Sequence, residues 1–235
     1  MVVDPDGISK KLLLVSGTAS IAPAILKMAI TSRYKITATF RDTSPDSSSN
    51  QIDWKHLDLS DPRSTEAFLE QIEFTRFDRV IVLTGVLSHK NFFEMSFEEI
   101  QKVYVSNVIG ISYFLGKLIP SLQEISSVVI LSSKSANSTS YDVCYSGAKA
   151  ALQATIRSIA QFLNPTQSII AIAPSAIENS AMFTAMDSAI QAKHLARSMD
   201  QLLTTQEVAE AVWDAGSETS ITMSGKVIAI GRDIL

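Results

Sequence analysis

The stretch Tyr145-Ser146-Gly147-Ala148-Lys149 sets a phenol and an ammonium four residues apart. On a helix that spacing puts both on one face, one turn apart. A free tyrosine has a pKa of about 10 and relays protons poorly at neutral pH. A fixed cation beside it favours the phenolate. The pair is therefore expected to act as a general acid/base with its pKa moved towards neutrality. The spacing alone is weak evidence, and the chain carries its own control, because Tyr113 and Lys117 repeat it. The elements around each pair must separate them.

Those elements lie in a chain of 235 residues, 46% of them apolar, with a net charge of −4. Acidic and basic residues are interspersed with no basic stripe, which argues against nucleic-acid binding. Cys144 is the only cysteine, so an intrachain disulfide and a structural cysteine-ligated zinc are both excluded. His56, His89 and His194 stand far apart with no metal-ligand spacing. They are read as surface or loop residues, and no metal is expected. Lys10-Lys11 ahead of Leu12-Leu13-Leu14-Val15 superficially resembles a leader, but Ser16-Gly17-Thr18 breaks the apolar run. No run approaches the roughly 20 apolar residues of a membrane span. A soluble cytoplasmic protein without a membrane partner is the expectation.

Lys11–Ser16 is a short continuous apolar run, the pattern of a strand buried on both faces. Small residues follow, and then a helical period over Ile21–Ser32 with Pro23 in its first turn. Lys35–Phe40 reads as a second strand, Asp42–Asn50 as a polar loop, and Trp54–Leu57 as a third strand ahead of Asp58. Pro62–Phe74 reads as an amphipathic helix, Asp78–Thr84 as a fourth strand, and Phe97–Leu118 as a long helix. Ser127–Ser133 is a fifth strand, Val143–Leu163 a second long helix, and Ser168–Ala173 a sixth strand ending at Pro174. Residues 178–201 are helix-prone and irregular. Thr205–Ala215 is a helix with Thr205 as its N-cap, and Lys226–Ile230 is a last strand.

Strands alternating with amphipathic helices make successive βαβ units. The expected fold is α/β: one domain over residues 1–235, a single doubly wound parallel sheet of Rossmann-like type, about seven strands with helices on both faces. Ligands of such a sheet gather outside the carboxyl ends of its strands. The residues there are Gly17, Arg41, Asp58, Gly85, Ser132/Ser133 and Pro174. Tyr145 begins its helix shortly after a strand end, whereas Tyr113 lies inside a long helix. Tyr145 is the functional candidate, and Tyr113 a packing or interface residue.

With these motifs in order, the chain resembles the short-chain dehydrogenase/reductase family over essentially its full length. Lys11–Leu26 is similar to that family's first strand, glycine turn and helix. Asp78–Val86 stands where its fourth strand and Asn-Asn-Ala-Gly segment stand. Asn107 matches the helix asparagine, Val129-Ile130-Leu131-Ser132-Ser133 the strand delivering the catalytic serine, and Tyr145/Lys149 the Tyr/Lys motif. The resemblance implies that Tyr145 exchanges a proton with the substrate oxygen and that Lys149 lowers the tyrosine pKa and binds the nicotinamide ribose. It further implies that a serine hydrogen-bonds the reacting oxygen and that Asn107 holds a water leading to Lys149. Motif alignment favours Ser133, and spacing back from Tyr145 gives Ser132; Ser133 is taken. The implied cofactor residues are Gly17, Ser20, Ile21, Arg41, Asp58, Leu59, Thr84, Gly85, Tyr145, Lys149, Pro174 and Ile177.

Departures from the family pattern bear on cofactor affinity more than on proton chemistry. Of the turn's three glycines only Gly17 is kept. The second is deleted between Ser20 and Ile21, and Ala22 replaces the third. The second glycine normally lets the backbone approach the pyrophosphate. Arg41, just after the second strand, can bind a phosphate bidentately, so NADP is favoured over NAD, with Asp42 as a competing partner. Met182, Phe183, Met186 and Met199 suggest an apolar substrate pocket with adaptable walls. The leading expectation is NADPH-dependent reduction of a small carbonyl substrate, or the reverse oxidation, by a homodimer or homotetramer joined through helices 97–118 and 143–163. The alternatives are a catalytically idle dinucleotide-binding sensor or scaffold, and a lyase or epimerase using the same acid/base pair.

Overall fold

The computed structural model describes residues 10–45, 51–72, 75–88, 90–138, 140–199 and 201–231. Part of the expected 42–50 loop, the end of the expected helix at Phe74, and His89 lie outside the described residues.

Seven strands form one parallel sheet in the order β3-β2-β1-β4-β5-β6-β7. They are β1 (Lys11–Val15), β2 (Lys35–Phe40), β3 (Ile52–His56), β4 (Arg79–Val82), β5 (Ser126–Leu131), β6 (Gln167–Pro174) and β7 (Val227–Ile230). Every residue of β4 and β6 is buried, because helices cover both faces of the central strands. The edge strand β3 has no buried residue. The chain runs outward from β1 to β3, then returns to place β4 on the other side of β1. The strand order therefore reverses between β1 and β4, and a crevice opens above that point.

Helices α1 (Ala22–Thr31) and α8 (Thr205–Ala215) cover one face, where Ile25, Ala29, Val208 and Val212 pack on Leu12, Leu14, Ile81 and Val129. On the other face, α2 (Pro62–Gln71), α4 (Gly110–Leu118) and α5 (Val143–Ile159) bring Phe68, Phe114, Leu118 and Ile156 onto Leu13, Val80 and Val128. Asp61 caps α2 ahead of Pro62, accepting a hydrogen bond from the Arg63 amide. At α8 the cap is Thr204, not the expected Thr205. Its hydroxyl accepts from the Glu207 amide, while Glu207 reaches back to the Thr204 amide.

The expected long helix 97–118 is two helices. α3 (Phe97–Tyr104) gives way to a π turn over Val105–Ile109 before α4 begins. The whole Phe97–Ser121 stretch is long and apolar enough to cross a membrane, which the run-by-run reading did not register. Here its apolar side chains Ile111, Phe114, Leu115 and Leu118 are spent on the sheet. The irregular 178–201 segment resolves into the short helix α6 (Ala181–Thr184) and α7 (Ser188–Arg197).

Candidate active site

A cavity of about 500 Å³ opens at the carboxyl ends of β1, β4, β5 and β6. Its floor is built from the first turns of α5. Asp142, almost fully buried, caps that helix by accepting from the Tyr145 amide at 2.9 Å. Its other oxygen accepts from the Ser88 amide at 2.7 Å and the Ser88 hydroxyl at 2.9 Å. One carboxylate thus fastens the start of α5 to the segment after β4, with Tyr145 and Lys149 on the face turned to the cavity.

The Lys149 Nζ lies 5.6 Å from the Tyr145 ring centre, and the Lys117 Nζ lies 5.6 Å from that of Tyr113. Spacing gives both pairs one geometry; environment separates them. Tyr113 donates to Glu66 at 2.6 Å on an exposed surface. Tyr145 and Lys149 are buried, and both line the cavity.

The expected lowering of the Tyr145 pKa is not what this arrangement produces. Burial pushes the phenol up, the Ser133 side chain works against that, and Tyr141 and Asp142 add to the rise. Lys149 does not supply the opposing charge. Burial brings its own pKa down to about 7, and its protons go to the carbonyls of Thr84, at 2.9 Å, and Leu131, at 3.0 Å. The amine is held between the ends of β4 and β5, where it lines the cavity.

The two serines after β5 have different partners. Ser132 Oγ is buried and accepts from Gln153 Nε2 at 3.0 Å. Ser133 Oγ accepts from the Ser135 amide at 3.2 Å and the Ser135 hydroxyl at 2.8 Å, and it faces Tyr145 closely enough to oppose the rise of the phenol pKa. A hydroxyl has two acceptor sites and one proton. With both sites taken by Ser135, Ser133 can only donate, which suits an oxygen gaining negative charge. Gln153 also donates to the Ser133 carbonyl and accepts from Asn137, so it sets the path of this loop from below.

Asn107 sits in the π turn, fully buried. Its amide donates to the carbonyls of Val86 and Val103, both at 2.8 Å, and its oxygen accepts from the Val86 amide at 3.1 Å. Both amide hydrogens are committed to backbone. The side chain clamps the segment after β4 onto α3.

Among the implied cofactor residues, Ser20, Ile21, Thr84, Gly85, Pro174 and Ile177 line the cavity with Tyr145 and Lys149. Gly85 leaves an opening in front of Tyr145 and Lys149: a Cβ there would stand 3.7 Å from Lys149 Nζ and 3.9 Å from the Tyr145 oxygen. The N-terminus of α1 has no side-chain cap and no acidic residue in its first turn, but Ala22 already donates to the Ala19 carbonyl at 2.8 Å and Pro23 has no N–H, which leaves few amides there for an anion. Gly17 is below this turn, where a Cβ would come within 2.8 Å of the Trp54 ring. Gly17, Arg41, Asp58 and Leu59 are not brought to the cavity wall. Arg41 pairs with Asp42 at 2.8 Å, both side chains more than half exposed, and that contact holds the guanidinium pKa up and the carboxylate pKa down. Asp58 accepts from the amide and hydroxyl of Ser60, and the Leu59 carbonyl packs against Gly110.

Met182, Phe183 and Met186 line the cavity as expected of an adaptable wall, whereas Met199 is 63% exposed and lies outside it. His194 is not a loop residue. It sits half-buried on α7, edge-on to Tyr141 and Phe183, and lines the cavity. Sequence reading also passed over Ser135, Asp142 and Gln153. The last two carry a signal: Asp142 precedes the helix as a cap should, and Gln153 repeats the Tyr145/Lys149 spacing one turn on.

A family model described as enoyl-(acyl carrier protein) reductase matches residues 19–231. No curated protein matches the sequence. The fold is similar to that of a short chain dehydrogenase family protein from Francisella tularensis, with a TM-score of 0.84 at 20% identity over 95% of this chain and 97% of that one. The ligand-free aldohexose dehydrogenase of Thermoplasma acidophilum has a TM-score of 0.81 at 20% identity over 94% and 92%. A short chain dehydrogenase from Burkholderia cenocepacia, in complex with NADP, has a TM-score of 0.82 at 18% identity over 95% and 97%.

Proposed function

Because the chain belongs to the short-chain dehydrogenase/reductase family, we propose that it is an NADP-dependent oxidoreductase that reduces a small carbonyl compound to an alcohol, or runs the reverse. The supporting observation is the convergence of Tyr145, Ser133 and Lys149 on one cavity above the strand reversal. When bound, the nicotinamide supplies or accepts the hydride. Ser20 and Ile21, just ahead of α1, would hold its phosphates, and Thr84, Gly85, Lys149, Pro174 and Ile177 its nicotinamide half. Arg41, once released from Asp42, would meet the 2′-phosphate, with NAD the second choice of cofactor.

The protein's own part is to move a proton. Tyr145, kept protonated by burial, gives its hydroxyl proton to the carbonyl oxygen as that oxygen gains charge. Ser133 donates to the same oxygen and then to the phenolate left behind. Lys149, with a pKa of about 7, is poised to hold or release a proton beside the phenolate at physiological pH. Incubation with NADPH and a panel of carbonyl compounds tests this. Tyr145→Phe should lower kcat by roughly a thousandfold while leaving NADPH affinity nearly unchanged. Equal cofactor consumption by wild type and variant on every substrate would remove the proposal.

A catalytically idle dinucleotide-binding protein is the second reading, favoured by the turn that is one residue short before α1. NADPH binding without turnover on any carbonyl would select it. We further infer a cytoplasmic homodimer or homotetramer joined through α3–α4 and α5, on which Ile109 and Val143 stand at least half exposed. Light scattering at micromolar concentration measures the state directly.

A further inference from the structure

The cavity carries an unbalanced charge. Besides the buried Lys149, its lining includes Lys134, Lys193 and Arg197 and, among the described residues, no Asp or Glu. The whole chain leans the other way, with 24 acidic residues against 20 basic. Lys193 and Arg197 come from α7, where Ile190, Lys193, His194 and Arg197 recur at the three- and four-residue intervals of one helical face. Ile190 and His194 are half-buried in the wall, and the two cations stand exposed at the rim. Neither cation forms an ion pair with a described carboxylate. Asp187, at the start of the same helix, serves as its cap, accepting from the Ala189 amide.

The location of the face assigns it to the substrate side. His194 lies edge-on to Tyr141, 6.2 Å between ring centres, and Tyr141 immediately precedes the cap of α5. The phosphate-binding turn meets this segment elsewhere, at Ala181, whose amide donates to Ser20 Oγ at 2.9 Å. Between rim and floor the wall is apolar, with Met182, Phe183 and Met186. A molecule reaching from Tyr145 to the rim therefore meets a proton donor, then a greasy sleeve, then a lysine and an arginine. A guanidinium grips a carboxylate or phosphate through two parallel hydrogen bonds, and an ammonium adds a point charge. Filling the sleeve excludes water and strengthens both contacts.

We propose that Lys193 and Arg197 bind an anionic group, carboxylate or phosphate, at the far end of the carbonyl substrate whose reacting oxygen rests on Tyr145 and Ser133. This rests on the oxidoreductase reading for the reacting end, but the anion site itself can be measured without turnover.

Matched probes make the test: levulinate against methyl levulinate, and dihydroxyacetone phosphate against dihydroxyacetone. Each is assayed for NADPH oxidation and, by calorimetry, for binding to protein saturated with NADP. The charged member of one pair should bind roughly tenfold or more tightly than its neutral partner, and which pair shows it tells carboxylate from phosphate. Lys193→Gln combined with Arg197→Gln should abolish that preference, with the neutral partner, NADPH affinity and melting temperature as in wild type. Both side chains are exposed, so the variant should fold. A preference that depends on the two cations but comes without turnover sustains the anion site and removes the oxidoreductase reading. Equal binding of charged and neutral probes, no binding of any, a preference that survives the double substitution, or a double variant weakened for NADPH instead of the probe would each overturn the proposal.

Discussion

At the scale of single residues, the notable group is a lysine buried with no counter-charge on it among the described residues. Lys149 is 1% exposed, and its two observed partners are neutral carbonyls. In the unfolded chain its amine stays protonated up to the ordinary value of 10.5, and in the folded chain only to about 7. Between those two values the unfolded state holds the extra proton, so stability rises with pH; below 7 both states hold it and the penalty is complete. Lys149→Met removes the penalty but leaves two carbonyls without a donor, costs of a few kcal/mol that oppose each other. The pH dependence is therefore the decisive readout. Urea unfolding should show the variant's stability relative to wild type falling by about 2–4 kcal/mol from about pH 6.5 to about pH 9.5. Tyr145, shifted upward by burial, contributes an opposite slope only above the ordinary tyrosine value of 10.0, outside this range. A flat difference would mean that water or a nearby acid already neutralises the amine.

At the scale of elements, the strands were legible and the joints between helices were not. β2 and α8 have the expected bounds, and the other strands agree within about two residues at each end, because a strand buried on both faces writes itself as an unbroken apolar run. The π turn inside 97–118 has no such signature. It answers a tertiary demand, the clamp of Asn107 on Val86, that local patterning does not contain. The cap of α8 was misplaced by one residue because Thr204 and Thr205 are chemically identical neighbours. The 178–201 segment lacked periodicity because α7 borders an open cavity, not a core. For the same reason His194, Lys193 and Arg197 gave no sequence signal, while Tyr145, Lys149 and Ser133 did through their order along the chain. One contact between elements is tight enough to predict from. α4 begins at Gly110, where a Cβ would fall 1.8 Å from the Leu59 carbonyl oxygen. Gly110→Ala gains helix propensity of at most about 1 kcal/mol but forces two backbones apart. It should destabilise the protein by roughly 3 kcal/mol or more, read from chemical denaturation.

Across the whole molecule, chemistry and stability occupy opposite ends of the sheet. The carboxyl ends of the strands carry the cavity. At the amino end of β4, Arg79 is buried beneath α8, donating to the carbonyls of Trp213 and Gly216 and lying 4.3 Å from the Trp213 ring centre. It fastens the sheet to the last helix far from any site residue. Arg79→Met should cost about 2–4 kcal/mol of stability and leave KM for NADPH and substrate unchanged, as thermal melts beside steady-state kinetics would show.

The π turn over Val105–Ile109 has a consequence for how the chain can vary. One residue beyond the regular repeat rotates everything downstream by about 100° around the helix axis. Upstream of that offset, Val103 faces the small core beneath Tyr145; downstream, Ile111, Phe114 and Leu118 face the sheet. The two halves share an axis but are set like hands of a clock at different hours. Excising a single position from the turn would straighten the rod and swing the second apolar stripe out towards solvent, so here length, more than composition, is what selection must hold constant.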